Sequence, residues 1–352
     1  MNFLDLGQTP FELNEEILIG FTIGRVTQEH RERYIVSTGE YEYEAEITGN
    51  FRFTASSRAD FPAVGDWVSM TVYDSGVALI HKIFPRKSVL ERQTVGKIGE
   101  KQIIATNVDV AFIIQSIDNN FNINRLERYL AICYASNIEP VLVISKIDLS
   151  DEIEIRQTIH DLESRDRKIK HMLLSNLTKE GLHQIHDFIE KGKTYCVVGS
   201  SGVGKSTLIN NLLNRAVLRT SEISESTNKG KHTTEHRELF VLENGGIIID
   251  TPGMRELGMT DNLDGIKSTF QNIADLALKC KFPDCRHLDE TGCAVIEGLE
   301  NGTIDGESLD NYRKILREQE RFQTSVAEKR KKDRQFGKMA REIMKEKKKS
   351  KY

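Results

Sequence analysis

Apolar and polar positions alternate along the first part of the chain in short β-type runs separated by turn residues. The runs are Phe21–Val26, Arg33–Val36, Tyr41–Ile47, Asp66–Val72 and Ala78–Ile83. Tyr41–Ile47 has the strict period of a half-buried strand. So many short strands in under about a hundred residues predict a small β-barrel, and an OB-fold is the natural form.

From there the pattern changes to strands alternating with helices. Val108–Ile114, Pro140–Ile144, His171–Leu174 and Tyr195–Val198 read as strands. Between them, Leu126, Leu130 and Cys133 share one helical face, with Asn124 expected as the cap, and Leu182, Ile185 and Ile189 mark another helix. Leu208–Leu213 is helix-like. Alternation of this kind predicts a parallel sheet. Ser221–Thr234 is polar and aperiodic and reads as a loop. Arg237–Leu242, Asn244–Gly246 and Ile247–Ile249 then form a hairpin signature. From Asn311 to Tyr352 the chain is dense in Lys, Arg, Glu and Gln, predicting a helix followed by a basic tail.

A chain of 352 residues is too long for one ordinary core. The expected division is a barrel over residues 1–93, an α/β domain over 94–262 and a C-terminal, mostly helical domain over 263–352, with Thr94–Gly99 as a glycine-containing linker. Net charge is −4, but Lys329–Tyr352 carries 12 basic against 3 acidic residues, a local +9 that leaves −13 for the remainder. The basic end is therefore an interaction candidate. No apolar run is long enough to span a bilayer, and the start lacks the basic region of a signal peptide. Of the five cysteines, Cys133 and Cys196 sit in apolar elements and read as core.

The chemistry centres on Gly199, Ser200, Ser201, Gly202, Val203, Gly204, Lys205, Ser206 and Thr207, a GxxxxGK[ST] run between an apolar strand and a helix. Such a loop turns backbone N–H groups onto phosphates. Lys205 is expected at the β/γ-phosphates and Ser206 on Mg²⁺. Ser145-Lys146-Ile147-Asp148 follows an apolar strand as a guanine-reading [NT]KxD does, with Ser in place of Asn. The Asp148 carboxylate can accept from guanine N1–H and its 2-amino group, and the Lys146 stem can cover the base face. Ser175 opens a loop suited to closing over the base. Thr233 or, preferably, Thr234 is expected to complete the Mg²⁺ shell. Asp250-Thr-Pro-Gly253 is a DxxG at a strand end, with Asp250 toward Mg²⁺ and the Gly253 N–H toward the γ-phosphate. Ordinary GTPases place the base-reading segments after DxxG; here they come first, which is a circular permutation.

Cys280, Cys285, His287 and Cys293 supply three thiolates and an imidazole within fourteen residues. That set suits a closed, tetrahedral, structural Zn²⁺ site in a reducing compartment. Arg52, Phe53, Arg58 and Phe61 lie in or near one barrel loop, as nucleic-acid contacts or as ordinary surface residues.

Taken together, Gly199–Thr207, Lys229–Thr234, Asp250–Gly253 and the Cys/His cluster resemble the ribosome small-subunit-dependent GTPase A family of circularly permuted GTPases, over nearly the whole chain. The resemblance implies an N-terminal OB-fold, a permuted P-loop GTPase domain and a zinc-binding C-terminal domain. It also implies GTP hydrolysis to GDP, action late in assembly of the 30S ribosomal subunit, 16S rRNA contact, and a cytoplasmic, monomeric protein. Other readings of the nucleotide motifs are a GTP-gated RNA-binding module with little catalysis and a P-loop ATPase or kinase. Met254 stands where many GTPases carry a water-orienting Gln, so His232 is the candidate catalytic residue.

Overall fold

The computed structural model describes residues 3–9, 20–30, 33–73, 76–94, 100–118, 120–165, 169–218, 237–251 and 263–349. Strands β1 (Thr22–His30), β2 (Arg33–Ser37) and β3 (Glu42–Ile47) form an antiparallel meander. Strand β4 (Trp67–Val72) pairs antiparallel with both β1 and β5 (Val77–Ile83), while β3 and β5 run parallel. This closes a five-stranded OB-like barrel. Alternate residues turn inward, and Val26, Tyr34, Val36, Ala45, Val68, Met70, Ala78 and Ile80 fill the interior. A short helix, Gly49–Thr54, joins β3 to β4, with Thr48 accepting the Phe51 N–H as its cap.

Strands β6 (Val89–Gln93) and β7 (Lys101–Thr106) form a separate hairpin, and the Thr94 N–H bonds the Glu100 carbonyl across its open end. The stretch expected as a linker therefore joins two paired strands, with residues 95–99 outside the described ones.

The α/β part uses β8 (Val110–Ser116), β9 (Glu139–Ser145), β10 (Lys170–Leu174), β11 (Thr194–Gly199), β12 (Glu238–Val241) and β13 (Ile247–Asp250). Their spatial order is β10-β9-β8-β11-β13-β12, parallel except for β12. Strand β12 also meets β1 at Glu238 and Gln28, joining sheet and barrel edge to edge. The central strands are buried on both faces, as parallel strands must be. Ala111, Ile113, Leu142, Ile144, Cys196 and Val198 point into one core, and Phe112, Ile114, Val141, Val143, Tyr195 and Val197 into the other. Cys133 and Cys196 are buried, and burial pushes the Cys133 thiol up to about 12, so both thiols are packing groups.

One helix boundary differs from expectation. The helix Ile123–Ala135 is capped by Asn122, whose side chain accepts the Arg125 N–H, and Asn124 instead accepts from Arg165. The helix starts at Ile123, before the first residue of its apolar face, so the cap lies two residues earlier than expected.

The C-terminal helices Leu263–Thr269, Gln271–Ala277 and Ala294–Glu300 pack beneath the sheet. Gly265 lies directly on the backbone of Ile123–Ala135, where a Cβ would sit 1.9 Å from the Ala131 carbonyl oxygen. The last helix, Gly306–Lys349, is 44 residues and about 66 Å long. Leu309, Tyr312, Ile315 and Phe322 form its buried stripe. The basic segment from Lys329 thus continues a helix and is no separate tail. Among the described residues no helix is long and apolar enough to cross a membrane.

Candidate functional site

Parallel strands end at one edge of their sheet, so Ser116, Ser145, Leu174, Gly199 and Asp250 are brought to the same side by register alone. Ser116 pairs with Ser145, Ser145 with Leu174, Gly199 with Ile114, and Asp250 with Val197. The crevice between β8 and β11 is where the order of connections reverses, the position at which open α/β sheets bind ligands.

The phosphate loop leaves β11 at Gly199 and enters the helix Lys205–Leu212. Gly199 has φ +152° and a Cβ there would lie 2.4 Å from the Ile114 carbonyl oxygen. Gly204 has φ +95° and a Cβ there would meet the Asn176 amide nitrogen at 2.6 Å. Side chains are thus excluded at both ends of the loop. The ammonium of Lys205 donates to the Ser200 carbonyl at 2.5 Å. Ser206 and Thr207 follow in the first turn of the helix.

The other segments close on this loop. Ser145, fully buried, donates its hydroxyl to the Val203 carbonyl at 2.7 Å. Asn176 donates to the Gly204 carbonyl at 3.1 Å and accepts from Asn211. The Ser175 hydroxyl donates to the Asp148 carboxylate at 2.5 Å and accepts the Thr178 N–H. Lys146 sits in the left-handed region, φ 59°, and its ammonium contacts Asp118 at 3.1 Å. Asp250 is 8% exposed; burial pushes its carboxyl up to about 6, against the pull of Lys205. Thr251 is buried and donates to the Val197 carbonyl.

Two side chains at this edge escaped sequence reading. Asp118 accepts from the Ser116 hydroxyl and the Asn120 N–H, and Asn120 donates to the Ser200 hydroxyl at 3.1 Å. Their signal is the Ser116-Ile-Asp-Asn-Asn120 run at the end of an apolar strand, which by itself reads as a turn. His232, Thr233, Thr234 and Gly253 lie outside the described residues.

A second cluster stands in the C-terminal part. The ligand atoms of Cys280, Cys285, His287 and Cys293 all lie within 4.8 Å of one another. The Cys280 and Cys293 sulfurs are 3.8 Å apart, and His287 Nδ1 is 3.6 and 3.5 Å from them. With Zn–S of about 2.3 Å and Zn–N of about 2.0–2.1 Å, a tetrahedron has edges of about 3.8 and about 3.6 Å. The donor set and spacing therefore fit Zn²⁺. Local geometry holds the set: Glu290 accepts the Arg286 and Leu288 N–H groups, and Arg313 from the long helix donates to the His287 carbonyl.

On the barrel, Arg52 and Arg58 are exposed and Phe53 is 90% exposed, while Phe61 packs against the barrel core. Arg58 pairs with Glu29 at 3.6 Å.

A family model described as RsgA GTPase matches residues 83–260. The Small ribosomal subunit biogenesis GTPase RsgA 1 of Bacteroides thetaiotaomicron is 40% identical over 326 residues, covering 92% of this chain and 90% of the relative. RsgA 2 of Lactiplantibacillus plantarum is 43% identical over 300 residues, covering 85% and 84%. Among solved structures, YjeQ from Thermotoga maritima superposes with a TM-score of 0.62 at 26% identity, covering 85% of this chain and 98% of that one. YloQ, described as a circularly permuted GTPase, has the same fold, with a TM-score of 0.60 at 22% identity over 90% and 99%. The sheet explains how the permutation works, since the strands keep one spatial order whatever the order in which the chain visits them. By sequence, fold and the convergence of its loops, the chain belongs to the RsgA GTPase family, and it is a GTP hydrolase.

Proposed function

We propose that this protein binds GTP with Mg²⁺ in the crevice between β8 and β11, hydrolyses it to GDP and phosphate, and acts on the 30S ribosomal subunit during its late assembly. The observation that carries this reading is the convergence of Lys205, Asp148, Ser175 and Asp250 at one sheet edge of a chain whose relatives are named as small ribosomal subunit biogenesis GTPases.

In this reading the loop Gly199–Thr207 wraps the phosphates. Lys205 leaves the Ser200 carbonyl for the β/γ-phosphates, a charge-assisted contact. Asp148, oriented by Ser175, reads the guanine edge, and the Lys146 stem covers its face. Ser145 supports the loop from below through Val203. Ser206 and Thr234 would hold Mg²⁺, with Asp250 acting through water; a buried carboxyl beside Lys205 suits a divalent cation. When bound, the ion neutralises charge on the phosphate oxygens. The Gly253 N–H meets the γ-phosphate, and His232 orients the attacking water. Residues 1–93 serve as the RNA-binding barrel, 94–262 as the permuted GTPase domain and 263–352 as the zinc-binding domain. The barrel face with Arg52 and Phe53, and the basic end of the last helix, contact 16S rRNA phosphates. The protein works as a cytoplasmic monomer.

Co-sedimentation with 30S subunits in GDP, GTP and a non-hydrolysable analogue tests the partner. Tight association with the analogue and release in GDP is the expected result; equal sedimentation in all three, or none, refutes it. Phosphate release measured with and without 30S subunits tests the catalysis. ATP competing as well as GTP would make the protein an ATPase instead.

A further inference from the structure

On the placement of guanine at Lys146 and Asp148 proposed above, we infer that Asp118 is a positioning residue of the nucleotide site: it fixes the Lys146 ammonium and, through Asn120, the phosphate loop, and so sets how long a guanine nucleotide stays bound.

Asp118 and Asn120 follow the end of β8 beside the phosphate loop and belong to no phosphate-reading or base-reading motif. One carboxylate serves both halves of the site. Asp118 Oδ1 accepts from the Ser116 hydroxyl at 2.8 Å and from the Asn120 N–H at 3.0 Å. Asp118 Oδ2 accepts from Lys146 Nζ at 3.1 Å. Asn120, held this way and by Arg125, donates to the Ser200 hydroxyl in the phosphate loop. Burial alone would raise the Asp118 carboxyl, but the bonds from Ser116, Asn120 and Lys146 outweigh it and keep the group below its ordinary value, ionised at neutral pH.

Lysine is a long, flexible side chain with large rotamer freedom. Left loose, its methylenes cover a base only part of the time. Tethered at the head, the stem is held as a fixed apolar surface before the base arrives, which cuts the ordering cost of binding. The backbone of Lys146 is in the left-handed region, which persists where surrounding contacts impose it. The Asp118–Lys146 pair is about a quarter to a third exposed, and such pairs add little to folding. Its worth therefore appears in ligand residence and not in the melting temperature.

The test is release of a fluorescent GDP from the full-length protein, chased with unlabelled GDP. Asp118→Asn is isosteric and keeps acceptors for Ser116 and Asn120 but loses the charge. It is expected to speed GDP release about tenfold with an unchanged melting temperature. Lys146→Met keeps the apolar stem without the ammonium; adding Asp118→Asn to it should change release no further. Equal acceleration by Asp118→Asn in both backgrounds, or none in the wild-type background, overturns the inference. Release at the wild-type rate in Lys146→Met, which keeps the stem, overturns the inference alone; release at the wild-type rate in Lys146→Ala, which removes the stem, refutes the placement of Lys146 on the base. Acceleration by Lys146→Met but not by Asp118→Asn refutes the inference alone.

Discussion

The hydroxyl of Ser145, at the end of β9, donates to the backbone carbonyl of Val203 in the phosphate loop at 2.7 Å, and both residues are completely buried. A hydroxyl has one proton to give, so the Gln115 carbonyl at 3.3 Å is the weaker partner. In the guanine-reading pattern an Asn stands at this position; here a Ser reaches the loop from the strand end. The bond braces the phosphate loop from the base-reading side.

Ser145→Ala leaves the Val203 carbonyl buried without this donor, at a cost of about 1–3 kcal/mol. GTP and GDP affinities should fall together, by about tenfold, while the preference for guanine over adenine stays intact. Isothermal titration with GDP, GTP and ADP reads all three. A change in base preference would mean that Ser145 touches the base.

Asp148→Asn is the complementary case. Ser175 holds the carboxylate at 2.5 Å, so the variant keeps its orientation but presents an amide where guanine offers two donors. Discrimination between guanosine and inosine nucleotides should drop by about tenfold or more, the scale of a charge-assisted hydrogen bond. Competition binding measures it, and full discrimination in the variant would exclude Asp148 as the base reader.

These two cases show what local sequence conveys and what it does not. The phosphate loop, the Asp250 strand end and the Cys/His set are legible because each needs particular residue types at fixed short spacing. The barrel strands are legible because alternation is local. Ser145 reads as a base contact by position, yet its partner Val203 lies 58 residues away and is known only from the packing. Asp118 and Asn120 look like turn residues until β8 and β11 are adjacent. Buried Arg25 is another such case: it donates to the Leu6, Gly65 and Asn107 carbonyls and to Thr194, tying barrel to sheet, and nothing in its neighbourhood along the chain announces this. Burial pulls its guanidinium down to about 10, so it remains charged at neutral pH.

Glu127 predicts a pH dependence. It is 4% exposed between the helix Ile123–Ala135 and the start of the last helix, bonded by Asn311 at 2.5 Å and Ser308 at 3.4 Å. Arg165 lies 3.9 Å away and is shared with Asp305 and Glu307. Burial, opposed by Asn311 and Arg165, raises the carboxyl from 4.5 to about 7. The folded state therefore holds its proton more tightly than the unfolded state. This contribution is fully present below about pH 4.5 and is lost as pH rises to about 7, a loss of about 3 kcal/mol. Glu127→Gln should flatten that part of the stability–pH curve and be no less stable than wild type above about pH 7. Urea unfolding across this range checks it; an unchanged slope in the variant would assign the dependence elsewhere.

The zinc cluster carries the last prediction. Between Leu278 and Gly292 the chain has no regular strand or α-helix, and Leu278, Phe282 and Leu288 are 86%, 46% and 54% exposed. Apolar burial is therefore not what holds these turns. What they share is the convergence of Cys280, Cys285, His287 and Cys293, in which the three edges among Cys280, His287 and Cys293 match a tetrahedral Zn²⁺ site, and the last helix leans on it through Arg313 and the His287 carbonyl. In such a segment the free energy of metal binding becomes folding free energy. Elemental analysis should find one zinc per chain. Removal by a chelator should melt the C-terminal part first, seen as an early loss of helical signal, while GDP still binds to the sheet edge. Cys293→Ser, at the most buried thiol of the cluster, should lose the metal and produce the same early transition. Cys285→Ser with full zinc and an unchanged melting curve would remove Cys285 from the ligand set, and a zinc-free protein that melts like the native one would refute the centre altogether.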